Sequence, residues 1–263
     1  MRYEKIELNE NAYMTTYIAD KIEKFTRKAI LVIPGGGYAG IASREGEPIA
    51  LAFMAHGYNA FVLNYSIKVK PFPQQLIEAS LAMKHIRDNA EEYNIDPDNV
   101  FAVGFSAGGH LTGALGTMWH RKEIYDAIDM PYGYNKPNGM MLIYSVINPD
   151  NHYPSFENML LGDVTDKKLE EFSIDRAVDK NTVPAFIMHT VNDQIVNSRG
   201  ALDMAYALGE NGISYEMHIY PDGPHGIALA NDITKCGETR WSEPAIAKWV
   251  EHAVYWADKF GEK

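Results

Sequence analysis

Short apolar runs alternate with amphipathic stretches along almost the whole chain, and this alternation leaves few folds open. Residues 28–34 (KAILVIP), 58–65 (YNAFVLNY) and 99–105 (NVFAVGF) are predominantly apolar, which predicts strands buried on both faces. Further strands are expected at 139–144, 184–190 and 214–220, and helices at 45–56, 74–93, 107–118, 199–210 and 244–260. The helix 74–93 is the clearest. Leu76, Ala79, Met83, Ile86 and Ala90 recur at helical spacing, with Glu78, Lys84, Arg87, Asp88 and Glu91 assigned to the other face. Asp96-Pro97-Asp98 then predicts a turn. Such alternation builds βαβ units, and so an α/β fold with a mostly parallel sheet covered on both faces. Residues 3–8 and 12–19 alternate polar and apolar positions and fit an antiparallel edge.

The length of 263 residues suits a single domain over 1–263. Residues 119–138 and 145–182 depart from the rhythm. They are rich in aromatic, Pro and Gly residues and are expected as small cap-like insertions at the strand ends, where ligands bind. Their aromatics (Trp119, Tyr125, Tyr132, Tyr134, Tyr153, Phe156) are open to two readings, packing within the insertions or a platform for a sugar. A net charge of −11 argues against nucleic acid or an anionic membrane as partner. Cys236 is the only cysteine, so no intrachain disulfide can form. Charges at Arg2, Glu4, Lys5 and Glu7 break up the start, and the apolar runs are too short for a bilayer. A soluble, cytoplasmic protein is therefore expected, and a homodimer is a reasonable assembly.

Gly104-Phe105-Ser106-Ala107-Gly108 matches G-x-S-x-G between an expected strand and an expected helix. A serine at that sharp turn exposes its hydroxyl above the sheet, which makes Ser106 the candidate nucleophile. His110, one helical turn on, is expected to be a packed structural histidine. A serine hydroxyl needs a base. The order in such sites is serine, then acid, then histidine. His225 lies in the loop Asp222-Gly223-Pro224-His225-Gly226, directly after an expected strand. His189 and His218 lie inside strands, His252 in a helix, and His120 and His152 in the insertions. Asp193 follows the strand 184–190 and is the expected acid, its role being to orient the imidazole. Asp222 is expected to shape the turn.

Gly35-Gly36-Gly37-Tyr38-Ala39-Gly40 also satisfies G-x-G-x-x-G, a dinucleotide fingerprint. That reading needs an acid at the end of the next strand, and Asn64 stands there instead. The better reading is a loop whose N–H groups receive a developing oxyanion, with Gly36 and Gly37 as donors beside the N–H of Ala107, and Tyr38 lining the acyl side. No organic cofactor and no metal is implied.

Taken together, PGGGY, SREGEPIALAF, the strand ending in NYS, GFSAGGHL, SFENMLLG, HTVNDQIV and YPDGPHGIALA resemble the bacterial acetyl-esterase and acetyl-xylan-esterase-like α/β-hydrolases, over about residues 28–231. The resemblance implies the α/β-hydrolase fold, Ser106, Asp193 and His225 as a triad, and hydrolysis of small acyl esters, acetyl groups on sugars or xylo-oligosaccharides among them. Two departures stand out. Pro34 replaces a usual His, and Asn192 stands where many relatives carry Asp. The expectation is thus a serine carboxylesterase acting through an acyl-enzyme. A serine peptidase on the same fold and a non-catalytic ligand-binding protein on a hydrolase scaffold remain the alternatives.

Overall fold

The computed structural model describes residues 1–235, 237 and 241–260. Cys236 lies outside the described residues. Eight strands form one sheet in the order β1-β2-β4-β3-β5-β6-β7-β8. β1 (Arg2–Glu7) and β2 (Tyr13–Ile18) make the antiparallel edge, and β2 runs antiparallel to β4 (Tyr58–Asn64). From β4 onward the sheet is parallel, through β3 (Arg27–Ile33), β5 (Ile95–Phe105), β6 (Met140–Ile143), β7 (Ala185–Thr190) and β8 (Tyr215–Tyr220).

The continuous apolar runs have a direct cause in this sheet. Side chains alternate between its faces, and both faces are covered. Along β3, Ala29, Leu31 and Ile33 enter one core, whereas Ile30 and Val32 enter the other. β5 divides likewise, with Val100 and Ala102 on the first side and Phe101, Val103 and Phe105 on the second. The first core is closed by α2 (Gln74–Asp88), α4 (Ser106–Thr117) and α8 (Arg199–Glu210) through Leu76, Leu111 and Met204. The second is closed by α1 (Glu47–Ala55) and α9 (Trp249–Asp258) through Phe53, Trp249 and Trp256. Among the described residues no helix is long and apolar enough to cross a membrane.

Three local expectations need correction. The helix expected over 74–93 stops at Asp88, and a separate turn, α3 (Ala90–Tyr93), follows the C-cap Asn89 before Asn94 adopts a left-handed conformation. Glu78, assigned to the solvent face, is fully buried. Its carboxylate accepts from the N–H of Ser66 at 2.8 Å and from Asn9 Nδ2 at 3.1 Å, which compensates its burial. Asp96-Pro97-Asp98 turns locally, with Asp98 N–H donating to Asp96 Oδ1 at 2.9 Å, yet it stays inside β5, where the register against β3 shifts.

The two insertions part company. Residues 145–182 leave the carboxyl end of β6 and form α6 (Pro149–Met159) and α7 (Asp166–Phe172). Residues 119–138 follow α4 instead and carry α5 (Lys122–Ala127). A helix rises ~1.5 Å per residue, so α4 takes the chain roughly 18 Å away from its start before Trp119. The 119–138 insertion therefore sits at the amino ends of the strands, not at a ligand-binding edge. Trp119, Tyr125 and Tyr132 pack on one another there, with ring centroids 5.2 and 5.3 Å apart. A cavity of about 680 Å³ beside Arg87, Tyr132, Lys136 and Pro184 belongs to that same far edge. Phe156 is a core residue, which leaves Tyr153 as the one exposed aromatic of the 145–182 insertion named above.

Candidate active site

At the carboxyl edge of the sheet, β5 passes directly into α4 at Ser106, whose φ of 53° lies in the left-handed region. A non-glycine residue held there marks a strained turn of the kind that active sites use. The flanking glycines are dictated by space. A Cβ at Gly104 would fall 2.2 Å from Gly108 O, and a Cβ at Gly108 would fall 2.2 Å from Ile33 O and 2.3 Å from Pro34 O. The G-x-S-x-G spacing is thus the condition under which β5, α4 and the end of β3 can meet.

The loops after β7 and β8 bring the other two expected residues to Ser106. His225 Nε2 lies 2.9 Å from Ser106 Oγ, and His225 Nδ1 lies 2.7 Å from Asp193 Oδ2. Both distances are hydrogen-bonding ones. Asp193 is tied down first. Its Oδ1 accepts from the N–H groups of Ile195 at 2.8 Å and Val196 at 3.0 Å, and its side chain is wholly buried. Burial alone would push this carboxyl up. The nearby His189 imidazole, the hydrogen bond and charge of His225 and the Ile195 N–H overcome it and hold the group well below the usual carboxylate range. His189 was expected to be structural, and its Nε2 serves Val196 O at 3.0 Å while lying 3.5 Å from Asp193 Oδ2. It is a second imidazole behind the acid, which sequence position alone does not disclose.

Asn192 joins the two loops. Its Oδ1 accepts from Gly223 N–H and its Nδ2 donates to Asp222 Oδ1, both at 2.9 Å. Asp222 therefore acts on the loop rather than on His225. The departure at Asn192 is chemically sensible, because an amide can donate to Asp222 while it accepts from Gly223, and a carboxylate there would face Asp222 as a like charge.

Gly35 to Gly37 follow β3. The Gly35 N–H is already engaged by Glu45 Oε2 at 2.8 Å, whereas among the described residues no acceptor engages the N–H of Gly36 or Gly37. Ala107 is the second residue of α4, and the first N–H groups of a helix have no acceptor within it. Asn158 Nδ2 donates to Gly37 O at 2.9 Å and fixes the loop to α6. Tyr38 is almost fully buried beneath that loop, with its hydroxyl 2.8 Å from His110 Nδ1 and its ring against Tyr65. His110 is a packed histidine: its Nε2 donates to Phe172 O at 2.8 Å, so the neutral ring accepts from Tyr38. Burial pushes it down to about 4.

Two groups at the site lay outside the sequence expectations, Glu45 and Tyr144. An acidic residue at a helix start and a tyrosine at a strand end look ordinary in a sequence. His152, which burial pushes down and which feels the charges of His225 and Asp193, also faces the site from α6.

Comparison with known proteins agrees with this architecture. Residues 14–208 match the BD-FAE family. The chain is 38% identical over 214 residues, 78% of its length, to endo-1,4-beta-xylanase B of Butyrivibrio fibrisolvens. It is 30% identical over 210 residues, 77% of its length, to an acetylxylan esterase of Xylanibacter ruminicola. It spans only 33% and 41% of the lengths of those two proteins. Among solved structures, an acetyl ester-xyloside bifunctional hydrolase from Caldicellulosiruptor lactoaceticus superposes with a TM-score of 0.83 at 30% identity, covering 98% of this chain and 96% of that one. A carboxylesterase from Lactobacillus plantarum gives a TM-score of 0.89 at 27% identity, covering 99% and 98%. With an eight-stranded, mostly parallel sheet, a serine at the β5–α4 turn and a family match over most of its length, this chain belongs to the BD-FAE family of α/β hydrolases.

Proposed function

We propose that this protein is a serine carboxylesterase that removes short acyl groups, acetyl above all, from sugars or xylo-oligosaccharides. The observation that carries the reading is the continuous hydrogen-bonded line Ser106–His225–Asp193, at 2.9 and 2.7 Å, on a strained strand-to-helix turn. The substrate class is supported by the relatives named as acetylxylan esterase and acetyl ester-xyloside bifunctional hydrolase.

In this mechanism His225 Nε2 takes the proton of Ser106 Oγ as the oxygen attacks the ester carbonyl. Asp193 keeps the proton of His225 on Nδ1 and stabilises the imidazolium. The oxyanion is received by the N–H groups of Ala107, Gly36 and Gly37, while Tyr38, expected to line the acyl side, instead supports the loop from the core through His110 and Tyr65. The alcohol leaves with the proton from His225, and a water deprotonated by His225 then releases the acid from the serine ester. Every step uses side chains and backbone of this chain.

Hydrolysis of p-nitrophenyl acetate by the wild type and by Ser106→Ala tests the reading, with butyrate and octanoate esters alongside. The expected result is activity that falls with acyl length and drops by a factor of about 10³ or more in the variant. Equal rates in the two proteins would remove Ser106 from the chemistry. Release of acetate from acetylated xylo-oligosaccharides then tests the sugar.

A further inference from the structure

Glu45 closes the short 3-10 turn Ser43–Glu45 ahead of α1 and is 2% exposed. Both of its oxygens accept hydrogen bonds from neutral donors. Gly35 N–H donates to Oε2 at 2.8 Å, and Tyr144 O–H donates to Oε1 at 2.9 Å. The tyrosine oxygen in turn accepts from Ala228 N–H at 3.0 Å, and its ring stands edge-on to the His225 ring with centroids 5.2 Å apart. One carboxylate therefore reaches two loops of the candidate site. The first carries Gly36 and Gly37, and the second carries His225. The fit is tight. A Cβ at Gly35 would fall 2.8 Å from Glu45 Oε2 and 2.9 Å from Ser106 Cβ.

A carboxylate buried with, among the described residues, no ion pair at contact distance is an expensive way to hold two loops, since an amide would fill the same space. The hydrogen-bond directions show why the charge itself matters. Gly35 N–H can only donate. Tyr144 already accepts from Ala228, so its own proton is the one offered to Glu45. A protonated Glu45 would bring a proton of its own to face a donor at either oxygen, so the ionised form fits the site.

We propose that Glu45 is a positioning residue for the reaction: it sets the oxyanion loop against the histidine loop, and its charge favours the imidazolium that forms when His225 takes the Ser106 proton. The inference rests on the Ser106–His225–Asp193 reading. The titratable groups facing Glu45 are Arg44 on its own turn, Tyr65 from the end of β4, Tyr144 from the end of β6, and His225 from the loop after β8. His225 also faces Asp193 and His152. Burial pushes the Glu45 carboxyl up, opposed by the bonds from Gly35 and Tyr144 and by the charge of His225.

The test is the pH dependence of kcat and KM for p-nitrophenyl acetate in wild type, Ser106→Ala, Glu45→Gln and Tyr144→Phe, with a thermal melt of each. Glu45→Gln keeps the shape, removes the charge and sets an NH2 group against one of the two donors, which is why the acid limb and not kcat alone is the readout. Its kcat is expected to fall ~10–100-fold with KM within about twofold, and the acid limb of kcat/KM to move down by roughly half a pH unit to one unit, because the imidazolium loses a favourable charge. Tyr144→Phe keeps the charge and cuts the link to Ala228. It is expected to lose ~5–10-fold in kcat with the acid limb in place. A folded Glu45→Gln protein whose acid limb stays at the wild-type position overturns the proposal, whether or not kcat falls. If Glu45→Gln does not fold, wild-type kcat in Tyr144→Phe overturns it instead. Loss of activity in Ser106→Ala shows that the parent reading stands, so a negative result with Glu45→Gln then counts against Glu45 alone.

Discussion

His110 predicts a pH dependence of stability whose size follows from its surroundings. The ring is fully buried between Tyr38 and Phe172, with Nε2 donating to a carbonyl and Nδ1 accepting from a hydroxyl. Both bonds suit the neutral ring, and burial pushes its titration from 6.5 down to about 4. The sign follows from linkage. Below pH 6.5 the unfolded chain binds a proton that the folded protein refuses, so stability falls as pH falls from 6.5 toward 4. At about 1.4 kcal/mol per unit, the contribution lost by pH 4.5 is on the order of 2–3 kcal/mol. Glutamine at this position can still donate to Phe172 and accept from Tyr38, but it does not titrate. Urea unfolding of wild type and His110→Gln at pH 7.5 and pH 4.5 is the assay. The variant should be the less stable at pH 7.5, and the gap should shrink by that amount at pH 4.5. The other groups that titrate in this window are common to both proteins and cancel in the difference. Parallel stability curves for the two proteins would refute the reasoning. Because Tyr38 lies directly after Gly37, protonation of His110 should also loosen the oxyanion loop, and activity should fall along with stability.

Two further outcomes follow from contacts at the site. Gly108→Ala places a Cβ 2.2 Å from Ile33 O and 2.3 Å from Pro34 O, both backbone atoms, so a loss of at least ~4 kcal/mol or failure to accumulate as soluble protein is expected. A melting temperature within a few degrees of wild type would show that β3 can yield there. Asn192→Ala cuts the links to Gly223 and Asp222, both exposed. Steady-state kinetics should show kcat lowered ~5–20-fold, with stability changed by less than about 1 kcal/mol, and unchanged kcat would mean that the His225 loop holds itself.

Much of this site could be read from local pattern. A serine between two glycines after an apolar run, an aspartate after the next-but-one strand and a histidine in a glycine-containing loop are each local signals. Their convergence at Ser106 follows because every strand from β3 to β8 points the same way, which puts all their following loops on one edge. The same logic gave too little where direction of travel decides. Residues 119–138 resemble the 145–182 insertion in composition, yet they leave a helix rather than a strand and so arrive at the opposite edge.

The chain's own sequence determined the order and type of the strands and of the helices outside the two insertions, because burial on one face or two leaves a periodic trace in residue type. It also determined which turn could hold a strained serine, since only glycine fits at Gly104 and Gly108. Tertiary structure alone decided the partners of the buried polar groups. Glu78 and Glu45 both read as ordinary helix acids, and both are buried because distant donors reach them: Ser66 and Asn9 for Glu78, and Tyr144, 99 residues away, for Glu45. Periodicity records which apolar positions are buried, but a hydrogen bond is a matter of direction and distance, and those exist only once the strands have been laid side by side.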